Sequence, residues 1–200
     1  METRNRVIQN KLKGKKIILA SGSPRRRELL GELGIEFTTA KIEGYDESYP
    51  NDIPTGEIAE YICREKSLHY SKELTENEIL ITSDTIVVLG DEIMGKPASR
   101  EEAVKMLKEL SGKSHEVITA VCLRDCNHTV SFSDSTKVTF YPLSDSEIEY
   151  YVDNYKPYDK AGSYAIQEWI GLSGVESIEG SVYTVIGLPV ARLYRELLSF

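Results

Sequence analysis

Two stretches carry residues whose types and spacing could do chemistry. The first is Ser21-Gly22-Ser23-Pro24-Arg25-Arg26-Arg27. Ser23 fits a helix N-cap and Pro24 the first helical turn. Three arginines then crowd a helix N-terminus, where the dipole is already positive and carboxylates would be favoured. A locally unfavourable choice points to an external anion. Backbone N–H groups, the hydroxyls of Ser21 and Ser23, and guanidinium forks would together bind phosphate. The same residues could equally form a solvated basic turn, with Arg25 paired to Glu28. The second stretch is Thr82-Ser83-Asp84-Thr85, four polar residues that interrupt the β-rich apolar run from Glu78 to Leu89. Asp is a poor strand residue, and a buried carboxylate is costly unless paired. The pattern therefore predicts a bend or strand end at Asp84, facing a cleft. There the carboxylate could take a proton from water or hold a metal. An Asx-type turn capping the backbone is the other option.

Weaker signals accompany these. The acidic loop Glu43 to Asp52 could hold Mg²⁺, which takes one or two carboxylates plus substrate phosphates. By itself it reads more readily as a solvated loop. Arg64 and Lys66 fall late in a helix, where positive charge suits the dipole and a structural role is the simplest account. Lys96, between Gly95 and Pro97, suits a fixed point charge for phosphate and equally an exposed loop lysine. Gln167, in a loop rich in polar side chains, could read the edge of a base or sugar. His115 stands alone at a strand start, a position more often structural than catalytic.

The elements that must position these residues are legible from periodicity. Residues 1–14 read as a loose tail. Ile17 to Ala20 form a short buried strand, and Leu29, Leu30 and Leu33 give the following helix one apolar face. A helix runs from Thr55 to about Lys72, with Ile58, Tyr61, Ile62 and Leu68 inward. Gly90-Asp91 marks a hairpin turn. Ser99 with Glu102, and Ser144 with Glu147, are two capping boxes that open helices. Strands cover 115–124 and 129–141 around a turn, and a further hairpin pairs 175–178 with 182–186 across Glu179-Gly180-Ser181. A last helix follows Gly187-Leu188-Pro189. Early alternation of strands and helices, with hairpins later, predicts an α/β fold with a mixed sheet.

Two hundred residues suit one domain, with room for two lobes. A net charge of −8 argues against a nucleic-acid polymer or an anionic membrane as the main partner. It also means that a polyphosphate ligand would need a metal to lessen repulsion. Three cysteines without a CxxC spacing, and only three histidines, argue against a disulfide framework or a zinc site and fit a reducing cytoplasm. There is no apolar signal core at the N-terminus and no run of about 20 apolar residues. The absence of GxxxxGK argues against a P-loop kinase or motor.

Taken in order, SGSPRRRELL (21–30), DES (46–48), REK (64–66), SDTIV (83–87), GKP (95–97), LSGKSHEVITAV (110–121), DKAGSYAIQ (159–167) and GLP (187–189) resemble the Maf family of nucleoside triphosphate pyrophosphatases. The ordered set spans residues 15–200 as one domain and leaves 1–14 outside. The resemblance implies an α/β fold like that of inosine-triphosphate pyrophosphatases, with a central mixed sheet and two lobes flanking a cleft. It implies Mg²⁺-dependent hydrolysis of a nucleoside triphosphate to the monophosphate and pyrophosphate, in the branch acting on dTTP and UTP. It further implies Asp84 as proton acceptor or metal ligand, and Glu47 as a metal ligand. Ser21, Ser23, Arg25, Arg26, Lys66 and Lys96 would bind phosphates, and Arg26, Thr85 and Gln167 would set substrate selection. A cytoplasmic homodimer is the implied assembly. A different base preference, or a nucleotide-binding regulator of cell division, are the competing expectations. The family's frequent AGAYGIQ stands here as Ala161-Gly162-Ser163-Tyr164-Ala165-Ile166-Gln167, which keeps the glutamine.

Overall fold

The computed structural model describes residues 6–200. Strand β1 (Lys16–Ala20) turns through Ser21-Gly22-Ser23 into helix α2 (Pro24–Glu32), which leads to β2 (Phe37–Ala40). Pro24 opens α2 and the Ser23 hydroxyl accepts a hydrogen bond from the Arg26 backbone N–H, as the sequence predicts. Leu29 and Leu30 form the buried face of α2. A 3-10 turn at Thr55–Glu57 precedes α3 (Ile58–Leu68), whose Ile58, Ala59, Ile62 and Cys63 are buried. Strand β3 (Glu78–Leu89) follows and hairpins into β4 (Glu92–Met94). After these come α4 (Arg100–Leu110), β5 (Ser114–Arg124), β6 (Thr129–Phe140), α5 (Asp145–Tyr155), a 3-10 turn at Ala161–Ser163, α6 (Trp169–Gly174), β7 (Val175–Glu179), α7 (Val182–Ile186) and α8 (Val190–Ser199).

The strands form one sheet in the order β2-β1-β3-β5-β6-β7, with β4 added alongside β3. β1 pairs in parallel with both β2 and β3, while β3–β4 and β6–β7 are antiparallel. The fold is therefore α/β with a mixed sheet. The chain divides into two compact units. One holds the residues through Asp84 together with Thr119–Ser133 and Gly187–Phe200; the other holds Thr85–Ile118 and Asp134–Ile186. In the first unit Ile18, Ala20, Leu74 and Leu80 pack together, with Tyr70 at their edge. The second has a core of Val87, Leu107, Val138, Phe140, Tyr151 and Ile170, among others. Among the described residues no helix is long and apolar enough to cross a membrane.

Five local expectations differ from the structure. The helix read from Thr55 to about Lys72 is α3, which ends at Leu68, and Leu68 is 63% exposed instead of inward. Of the segment read as a loose tail, residues 1–5 lie outside the described residues, but Arg6–Lys11 form a helix (α1) whose Ile8 is fully buried. Thr82 to Thr85 neither bend nor end the strand: they run straight through the middle of β3, with Thr82, Ser83 and Asp84 buried. Val182–Ile186 are helical rather than a hairpin strand. The Ser181 N–H donates to Thr136 Oγ1, which in turn donates to the Ser181 carbonyl, and Gly180 takes φ +128°. That clamp turns the chain out of the hairpin path, so a β-branched run folds against its propensity. The capping box at Ser99 is half formed: Ser99 Oγ accepts from the Glu102 N–H, but Glu102 accepts from the N–H of Ala98 instead of Ser99. The box at Ser144 is complete.

Candidate active site

The turn after β1 is held from within. The Ser23 N–H donates to Ser21 Oγ at 3.2 Å, which fixes the Ser21 hydroxyl ahead of α2. Arg26 then folds back over this turn. Its Nε donates to the Gly187 carbonyl at 2.8 Å, and one terminal nitrogen donates to the Ser83 carbonyl at 2.9 Å and to Ser21 Oγ at 3.4 Å. The guanidinium therefore ties the turn to β3 and to the chain leading into α8. Loss of water lowers the Arg26 pKa from its ordinary value, and the negative charge of Asp84 works against that loss. Arg25 beside it is half-buried and Arg27 is exposed.

Asp84 survives in mid-strand because a lysine reaches it. Lys66, in the last turn of α3, places Nζ 2.7 Å from Asp84 Oδ1 and 2.6 Å from Glu47 Oε1. The side chains of Lys66 and Asp84 are 13% and 12% exposed, and that of Glu47 is 50% exposed. The Lys66–Asp84 pair is thus mostly out of water, where each charge needs the other. The helix supports it locally: the inward stripe of α3 packs down, Thr82 Oγ1 donates to the Cys63 carbonyl at 2.6 Å, and α3 is fixed against β3 one turn before Lys66. Burial pushes the Cys63 thiol pKa up, so this cysteine acts as an apolar spacer.

In this unit the structure forms two sets of contacts, Ser21, Ser23 and Arg26 in one and Glu47, Lys66 and Asp84 in the other, which meet where Arg26 reaches the carbonyl of Ser83 beside Asp84, with Arg25 on the first turn of α2. Two partners, the carbonyls of Ser83 and Gly187, are invisible in the sequence, because backbone acceptors leave no mark on residue type. Tyr45 also lies beside this set. Its ring packs against His69 with centroids 4.8 Å apart, and its hydroxyl is buried without a hydrogen-bond partner. Burial and the nearby carboxylates of Glu65, Asp84 and Glu47 push its pKa up to about 12. An aromatic two residues before Glu47 in an acidic loop was the available signal.

Thr85, Lys96 and Gln167 belong to the second unit. Thr85 is half-buried and, next to Asp84 in β3, points to the opposite face of the strand. Lys96 is exposed in the loop after β4, and that loop is pinned where Gly95 accepts from the Gly162 N–H at 3.1 Å. Gln167 is exposed on a tight turn in which the Glu168 N–H donates to the Ala165 carbonyl. The turn is braced by the buried Tyr151, whose hydroxyl donates to Glu168 and accepts from the Ala165 N–H.

Among the described residues no group of three or more His, Cys, Asp or Glu side chains could hold a metal ion. Glu47 and Asp84 do converge on a single cation, the Lys66 ammonium. Two carboxylates meeting at one positive centre fit a magnesium ion that draws its other ligands from water and substrate phosphates. As it stands, this set can grip an anion with hydroxyls, amides and guanidinium, and it holds a carboxylate able to accept a proton.

The sequence model of a family described as Maf-like protein matches residues 16–200. A dTTP/UTP pyrophosphatase of Parabacteroides distasonis is 54% identical over 97% of this chain and 100% of that protein. One from Bacteroides thetaiotaomicron is 52% identical over 90% of this chain and 94% of its own length. One from Flavobacterium psychrophilum is 46% identical over 96% and 98% respectively. Among solved structures, a HAM1 protein from Coxiella burnetii aligns with 63% of this chain and 73% of its own at a TM-score of 0.42 and 16% identity, a likeness too slight to bear on the fold.

Proposed function

The chain belongs to the Maf-like protein family, and we propose that it hydrolyses dTTP and UTP to the nucleoside monophosphate and pyrophosphate. The observation that carries the chemistry is Asp84. It is a carboxylate nearly buried in the middle of an apolar strand, paired to one lysine, with an arginine close enough to feel its charge. Nothing in the packing of β3 calls for an acid there. Near-full-length relatives named dTTP/UTP pyrophosphatase support the substrate class.

In this reading Ser21, Ser23, Arg25, Arg26 and the amides at the start of α2 grip the phosphates. Lys66 supplies positive charge to the pyrophosphate as it leaves. A water molecule attacks the α-phosphorus and gives up its proton to Asp84. The bond from the α-phosphorus to the bridging oxygen breaks, and that oxygen departs with pyrophosphate. Lys96 is assigned to substrate binding, and Arg26, Thr85 and Gln167 to selection among bases. Glu47 and Asp84 would hold a divalent cation, Mg²⁺ by donor chemistry, which would offset phosphate charge when bound. Three free thiols fit a reducing cytoplasm.

A panel of nucleoside triphosphates with Mg²⁺, scored for product, tests this. dTTP and UTP should lead, and pyrophosphate should be released. Orthophosphate as the product would refute attack at the α-phosphorus, and a lead by purine nucleotides would refute the substrate class. Asp84→Asn should lower kcat by roughly 100- to 10,000-fold, the usual worth of a general base, with an unchanged circular dichroism spectrum. Near-normal turnover would remove Asp84 from the proton-accepting role.

A further inference from the structure

Lys66 stands where the metal would. Its ammonium lies within 2.7 Å of one oxygen from each of Glu47 and Asp84, the two carboxylates assigned above to the divalent cation. An ammonium and a magnesium ion cannot share that point. Like charges a few ångströms apart repel strongly away from bulk water, and the oxygens facing the gap are already engaged. Magnesium gives up its water reluctantly. Two carboxylates that already share one lysine's ammonium carry a net charge of only −1 with it, and offer little to strip it. Among the described residues no third acidic, histidine or cysteine ligand joins them to tip the balance. The lysine is also firmly placed, because its partner Asp84 is nearly buried and lies in a strand rather than a loop.

We propose that Lys66 is a resident cation that keeps divalent metal off Glu47 and Asp84 until a triphosphate arrives. The phosphates give the ammonium another partner of the same sign as the carboxylates. When Lys66 turns to them, it frees both carboxylates, and the same phosphates complete the ligand set of the incoming ion. Nucleotide and metal then reinforce one another's binding by an equal factor, as linkage requires. The nature of the ligand rests on the pyrophosphatase reading, whereas the exclusion is a property of the nucleotide-free protein.

Mn²⁺ titrated into the full-length protein without nucleotide, with free Mn²⁺ followed by electron paramagnetic resonance, tests it. Wild type should bind weakly. Lys66→Met and Lys66→Gln should each bind one Mn²⁺ on the order of tenfold or more tightly, since a repelling charge beside the site is gone. Glu47→Gln added to Lys66→Gln should erase the gain. Should Lys66→Met fail to fold, Lys66→Gln remains, because its amide can still donate to both carboxylates. Equal affinity in wild type and the lysine variants would overturn the proposal, as would a gain that survives Glu47→Gln. Pyrophosphate release from dTTP by wild type scores the other reading separately. A clear gain without hydrolysis would leave the exclusion standing and sink the pyrophosphatase assignment; hydrolysis without a gain would do the reverse.

Discussion

Arg26 spends its guanidinium on the chain itself. Three of its hydrogen bonds end on Gly187, Ser83 and Ser21, so it shapes the anion turn as well as charging it. Lysine could not replace it, because a single ammonium cannot span acceptors on three segments in a fixed plane. Arg26→Lys should therefore cost about 2 kcal/mol or more of stability, read as a lower urea midpoint, since hydrogen bonds from a charged donor are lost and carbonyls are left unpaired. The arginine cluster was legible in the sequence because it offends the helix dipole. Asp84 was legible because a carboxylate among apolar residues is costly. What the sequence could not supply was the partner that lowers the cost, a lysine 18 positions upstream on another element. Without it, Asp84 was placed at a bend; with it, the strand runs on.

At the scale of elements, periodicity located β1, α2, α4 and the long strands, and failed where a specific contact overrode propensity. α7 is the plainest case, turned out of a strand by the Thr136 clamp. α6 is another: the stretch Trp169–Gly174 has no strong apolar stripe, yet it forms a helix packed tightly on the turn that carries Gln167. At Gly171 an added Cβ would lie 1.7 Å from the Ile166 carbonyl oxygen, a distance no rotamer can relieve. Gly171→Ala should accordingly destabilise the protein by about 2–3 kcal/mol, as overpacking does. The same change should displace the Gln167 turn, so KM for dTTP should rise in the fraction that remains folded. A melting temperature within a degree of wild type would show that α6 can slide off the turn.

For the molecule as a whole, stability should depend on acid through one buried ring. His115 is held between Phe140 and Tyr164, with Nε2 2.7 Å from the Tyr164 hydroxyl. Burial pushes its pKa down to about 4 from an ordinary value near 6.5. The folded protein thus keeps the ring neutral while the unfolded chain takes up a proton. The contribution is whole above pH 6.5 and is lost as pH falls towards 4, to a total of about 3 kcal/mol. His115→Gln, neutral throughout, should lack this component. Melting curves for the two proteins at pH 7 and pH 4.5 should converge as acid is added; a constant gap would mean that the ring takes up its proton equally in the folded and the unfolded chain. The histidine's structural role agrees with its isolation in the sequence, whereas the division of the chain into two interleaved units had no sequence mark at all, because β3, β5 and β6 each pass from one to the other without a break in pattern.

That interleaving sets an order on synthesis. The turn at Ser21 to Arg26 is made early, but the carbonyl that receives Arg26 Nε belongs to Gly187, 161 residues later. All of the second unit, Thr85–Ile118 and Asp134–Ile186, leaves the ribosome before it. Most domains can fold from the N-terminus as they emerge. Here the Arg26 clasp on Gly187 cannot close until the residues of the second unit have been made, so the turn after β1 gains this tie late in synthesis.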